Sequence, residues 1–137
     1  MARADVLPEW LPVEGVESLP CGRWFDGVRL PVFAGMRVVD GLRGLSGPVV
    51  QDQIADVLTW LVRPGAADGW ERRAPGVDVL REGRVLAVPP ASWCDGPWTG
   101  GSATRWLIAP TATCPTDPPV LLGALRQVCP PLGGRRG

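Results

Sequence analysis

The side chains that could do chemistry are few and widely spaced. Asp26, in R-W-F-D-G-V, and Asp78, in G-V-D-V, each sit in a run of β-prone residues. Arg72, Arg73, Arg81 and Arg84 form the densest basic cluster, and Trp93 and Trp98 fall in or beside a Gly-rich stretch. Arginines so grouped could meet a nucleic-acid backbone, and loop tryptophans could stack on bases or on a protein partner. Each feature also has a plainer reading. Glu71, Asp78 and Glu82 offset the arginines, as on a solvated, salt-bridged face. Asp26 reads equally as a solvated residue of an edge strand or a partner for Arg29 or Arg81. Asp78 reads equally as an acid accepting backbone hydrogen bonds ahead of the turn Arg81-Glu82-Gly83.

Missing residue types remove whole reaction classes. The 137 residues include no His, Lys, Tyr or Asn, so all 14 basic side chains are Arg, balanced by 14 Asp plus Glu. Such a bias, with 18 Gly and 16 Pro, matches a GC-rich coding sequence. Without His there is no imidazole base and no imidazole metal ligand; without Lys there is no Schiff base and no phosphate-loop lysine. A carboxylate-held divalent cation is not excluded. Zero formal net charge gives no global field to hold a polyanion, so any nucleic-acid contact must be local. Cys21, Cys94, Cys114 and Cys129 are too scattered for C-x-x-C zinc or redox motifs and read as small buried hydrophobes or, less simply, disulfide partners. The opening residues lack the apolar stretch of a signal peptide, and no apolar run approaches the roughly 18 residues of a membrane span. The expectation is a cytoplasmic protein with no membrane partner.

The elements that must position these residues follow from patterning. Residues 1–20 carry three prolines and scattered acids without a period, so they read as an irregular N-terminal arm. A strand is expected over Arg23–Pro31, then a helix over Val32–Leu42 with Phe33, Met36, Val39 and Leu42 at helical spacing and Gly41 and Gly44 as stop signals. Pro48–Gln53 and Val57–Val62 suggest one hairpin, with Asp52 and Asp56 as turn residues. Val77–Leu80 and Arg84–Val88 suggest a second. Thr104–Ile108 offers a short strand, and Thr116-Asp117-Pro118-Pro119 caps a helix over Val120–Val128. Trp24, Trp60 and Trp106 fall in expected strands and read as core, while Trp10 and Trp70 fit either setting. The result is an α+β domain, mostly antiparallel, over 21–129, with 130–137 as a disordered tail.

Read in order, GRWFDGVRLP (22–31), GPVVQ (47–51), LTWLVRPGAA (58–67), PGVDVLREGRVLAVPPAS (75–92) and TRWLIAP (104–110) resemble the bifunctional DNA primase/polymerase N-terminal domain family. The resemblance is strongest to short, single-domain versions from high-GC bacteria and covers about two-thirds of the chain. It implies an archaeo-eukaryotic primase-like (prim-pol) fold, partly truncated: a small sheet with flanking helices carrying a metal-dependent nucleotidyl-transfer site. In that family one strand presents two acids one residue apart, a later strand presents a His that contacts the nucleotide, and a third acid follows. Alternate strand residues share a face, so the two acids converge on the same ions.

Carried over by position, the resemblance matches Asp26 to the first acid and Asp78 to the third. The second acid's position is Val28, and the histidine's position is Thr59. Asp26 and Asp78 alone would hold Mg²⁺ or Mn²⁺ only weakly, and the two losses should cost orders of magnitude in catalysis. Three readings follow. The first is a degenerate primase/polymerase-like domain that binds nucleotide or single-stranded DNA without efficient chemistry. The second is a protein-interaction or regulatory module that keeps only the fold. The third is an active nucleotidyltransferase with a substitute for the missing acid.

Overall fold

A five-stranded antiparallel sheet carries helices on one face and a two-stranded ribbon on the other, in a computed structural model that describes residues 7–94, 103–110 and 115–129. The strands are β1 (Glu17–Pro20), β2 (Asp26–Pro31), β3 (Val49–Asp52), β4 (Val57–Val62), β5 (Asp78–Leu80), β6 (Val85–Val88) and β7 (Thr104–Ile108). The helices are α1 (Val32–Leu42), α2 (Trp70–Arg73) and α3 (Pro118–Val128). The large sheet runs β5-β2-β4-β3-β7, and β1 pairs with β6 as the ribbon. The α+β, mostly antiparallel architecture is the one expected.

Period-two patterning decides what each face of β2 meets. Val28 and Leu30 enter the first core with Leu58, Trp60 and Val62 of β4, Val79 of β5, Val38 and Leu42 of α1, and Leu121 and Leu125 of α3. The opposite face, with Leu61, Leu80, Val50 and Trp106, is covered by Leu19 of β1, Leu86 and Val88 of β6, and Leu11. Both large indoles are fully buried with the ring N–H satisfied. Trp60 Nε1 donates to Ser46 Oγ at 3.1 Å and Trp106 Nε1 to the Pro89 carbonyl at 3.0 Å.

α1 spans the residues expected, but a different stripe faces inward. Gly35, Val38 and Leu42 are buried, while Phe33 is 80% exposed and Met36 is 44% exposed. Gly35 settles the rotation: a Cβ there would lie 2.8 Å from Leu58 Cδ1, so the helix approaches the sheet most closely along its glycine. The helix ends at Leu42 as expected, with Arg43 in the left-handed region at φ 51° and Gly44 after it at φ 85°. α3 begins as its residues dictate, with Asp117 accepting from the Val120 backbone N–H at 3.4 Å and Pro118 in the first turn. The β3–β4 hairpin is also as expected; Asp52 Oδ1 accepts from the backbone N–H groups of Ile54 and Ala55, both at 2.9 Å.

Three expectations are corrected. β5 and β6 do not form a hairpin: β5 pairs with β2, β6 pairs with β1, and the turn between them passes the chain from one layer to the other. Residues 17–20 are a strand, and Leu11 and Leu19 are buried, so the segment expected to be irregular supplies part of the second core. Trp24 precedes β2 and lies 37% exposed on the surface rather than in the core, whereas Trp70 is buried. No helix among the described residues is long and apolar enough to cross a membrane.

Candidate functional site

The motif positions divide between the two faces of the sheet. Asp26 pairs with Val62 and Val28 with Trp60 and Val79, so both lie on the helix-covered face. Thr59 and Asp78 both stand opposite Arg29, on the ribbon side. There the Arg29 Nε–H donates to Thr59 Oγ1 at 3.4 Å, and Gly27 leaves room for Thr59, whose Cγ2 would lie 2.9 Å from a Cβ at residue 27. Val28 is fully buried. A carboxylate at that position would therefore enter an apolar core rather than a cleft.

Asp26 is not a solvated edge residue, and among the described residues it is in no ion pair. It sits on an interior strand, is 2% exposed, and its Oδ2 accepts from the Gly65 backbone N–H at 2.8 Å. Oδ1 is buried without a hydrogen-bond partner among the described residues. Its position pins the loop after β4, where Gly65 turns at φ 83°. Burial and the neighbouring Asp26 carboxylate push the Cys21 thiol up to about 11, which keeps it protonated and unreactive near neutrality. Among the described residues Cys21, Cys94 and Cys129 are all free thiols; Cys114 lies outside those residues.

This role predicts a specific contrast between two variants. Asp26→Asn keeps an oxygen for the Gly65 N–H and is expected to change stability by less than about 1 kcal/mol, whereas Asp26→Ala strands that donor and costs about 1–3 kcal/mol. Urea titration of both proteins checks it, and equal losses would show that Asp26 does more than hold the loop.

Beside Asp26 a shallow depression is lined by Gly22, Pro64, Gly65, Asp68, Arg81 and Glu82. Three carboxylates face one guanidinium there. Arg81 is already engaged, donating to both oxygens of Glu71 at 3.1 and 3.2 Å and lying 3.5 Å from Asp68. The Arg81 hydrogen bond holds the Glu71 carboxyl below its ordinary value, and Glu71 in turn raises Arg81. A phosphate entering this depression would meet net negative charge and an arginine already set against two carboxylates.

Asp78 is exposed and lies across the sheet from Asp26, pairing with Arg84 at 3.3 Å. Such half-exposed pairs contribute about 0–1 kcal/mol. The expected placement of Asp26 and Asp78 on one metal ion is not met, because they project from opposite faces. Nor does any group of three or more Asp, Glu, Cys or His among the described residues form a metal site. The donor set therefore does not fit a two-metal centre. Of the basic cluster, Arg81 and Arg84 are held in ion pairs, while Arg72 and Arg73 of α2 are exposed and outside them. Trp93 is half-buried, and its backbone carbonyl accepts from the Trp106 N–H at 2.8 Å. Trp98 lies outside the described residues.

A surface that motif reading passed over lies at the N-terminal arm. Trp10 stacks on Trp24 with ring centroids 6.4 Å apart and meets Phe25 at 5.0 Å; the Arg23 guanidinium lies 4.6 Å from the Trp24 ring centroid. The available signal was the density of apolar residues among the prolines and acids of 7–24, which has no helix or strand period and so gave no element to place. Compared with known proteins, the chain matches no family model, no curated protein and no solved structure.

Proposed function

We propose that this chain is a non-catalytic protein-binding module built on a primase/polymerase-like fold. The fold part of the reading rests on the five ordered motifs and on an antiparallel sheet with helices against one face. The observation that carries the non-catalytic part is the division of the motif positions. Asp26 and Val28 lie on the helix-covered face and Thr59 and Asp78 on the ribbon side, which supports the reading that the four do not share one ion or one nucleotide. Nucleotidyl transfer needs carboxylates converging on the metals that bind the triphosphate and activate the attacking hydroxyl. The protein-binding part is supported by the apolar residues left on the surface around Trp24.

Binding of nucleotide or single-stranded DNA without chemistry is a second reading, favoured by Arg72 and Arg73, which are exposed and in no ion pair among the described residues. One experiment separates the two. The protein is incubated with labelled dNTP, primed template and Mn²⁺, and in parallel its tryptophan fluorescence is titrated with dNTP and with single-stranded oligonucleotide at low salt. The expected result is no incorporation and no saturable fluorescence change. Incorporation that disappears in Asp26→Ala would overturn the non-catalytic reading. A saturable, steeply salt-dependent change lost in an Arg72→Ala/Arg73→Ala protein would replace protein binding with nucleic-acid binding.

A further inference from the structure

The N-terminal arm builds a surface whose two halves have different chemistry. One side is an apolar groove lined by Leu7, Leu11, Val13, Pro90 and Ala91. The adjoining groove shares Leu11 and Val13 and continues over Trp10 and Trp24, with Glu9, Glu14 and Glu17 along it. Val13, common to both, is 83% exposed, and Val16 and Trp24 are 39% and 37% exposed. The three glutamates are exposed, and none takes part in an ion pair among the described residues. Buried Leu11 and Leu19 anchor the arm to the second core, so the surface is held in place by packing below it.

Resting on the protein-binding reading above, we propose that this surface docks a basic, apolar segment of a partner protein, with aliphatic side chains seated over Val13 and arginines or lysines set against Glu9, Glu14 and Glu17. Charge complementarity selects this occupant. Among the described residues the groove linings include three carboxylates outside any ion pair and no arginine, Arg23 being set on the Trp24 ring, so a basic segment is favoured over an acidic one or a nucleic acid. The apolar groove supplies burial, and the glutamates supply orientation and rate of encounter. Trp24 already accepts one guanidinium, that of Arg23, which demonstrates the compatibility of this aromatic surface with arginine.

The test uses the full chain and three short fluorescein-labelled peptides: one alternating arginine and leucine, one with glutamate for arginine, and one with serine for leucine. Fluorescence anisotropy is expected to give saturable binding of the arginine-leucine peptide only, weakening as salt rises. Val13→Ser and the Glu14→Arg/Glu17→Arg protein should each weaken it by about tenfold or more. Phe33→Ser, on the helix layer and equally exposed, should leave it unchanged. All these positions are exposed, and circular dichroism verifies that each variant folds. Absence of binding to the wild-type protein, equal binding of the glutamate-leucine peptide, or equal weakening by Phe33→Ser overturns the proposal. The incorporation and fluorescence assays read the parent reading separately, so a failed peptide experiment with no incorporation discards this surface while leaving the non-catalytic reading standing.

Discussion

Val28→Asp, which would place an acid two residues after Asp26 as the primase/polymerase resemblance implies, is expected to unfold the domain rather than to create a metal site. Val28 is fully buried between Trp60 and Val79 beneath the helices. The substitution removes about 1.5–3 kcal/mol of apolar burial and places an uncompensated carboxylate in the core, worth about 3–5 kcal/mol. Together these approach the whole stability of a domain of this size, about 5–15 kcal/mol. The sign of the pH dependence follows from the same argument. Burial raises the pKa of the introduced carboxyl, so its penalty is greatest at neutral pH and shrinks as acid protonates it. Thermal melts from neutral to acidic pH check this. A variant that stays folded at neutral pH and gains Mn²⁺ affinity would show that position 28 opens onto a site after all.

Trp60→Ala is expected to cost about 3–5 kcal/mol, the range for a fully buried aromatic. Its indole lies between the neighbours that define the first core, opposite Val28 on one side and Val49 on the other, with its N–H on Ser46. Trp60→Phe retains most of the contact surface and gives up a hydrogen bond to the half-buried Ser46, so it should lose less than half as much. Urea midpoints of the two variants test the pair. A loss below about 1 kcal/mol for Trp60→Ala is incompatible with the packing described.

What could be read in the sequence was local. α1 runs over the residues its apolar spacing and flanking proline imply, α3 starts at a cap visible as Thr-Asp-Pro-Pro, and the hairpin around Asp52 carries its turn acids in place. The misreadings all involve partners distant in the chain. A turn at Arg81-Glu82-Gly83 looks the same whether it closes a hairpin or carries the chain between layers, and only the competition of β2 for β5 and of β1 for β6 decides. The candidate site failed to assemble for the same reason. Residue types at Asp26 and Asp78 are legible, but whether they share a face depends on register across strands, and a single residue of register reverses every side chain. Trp24 was misplaced because an aromatic beside a strand pattern reads as core, while the surface it joins is formed by an arm without a period.

The pairing of the first strand with the sixth has a bearing on how the chain is made. Glu17–Pro20 are synthesised well before their partners Val85–Val88, and β7, which completes the large sheet, comes later still. Until β6 is made, the face bearing Leu61 and Leu80 lacks the cover that Leu86 and Val88 supply. A nascent chain of this order cannot bank its early strands as finished structure; the ribbon closes only when β6 is made and the large sheet only when β7 is made. A stall before β7 therefore leaves the β3 edge open, and one before β6 leaves the apolar face bare as well, the combination that chaperones bind and that aggregates otherwise.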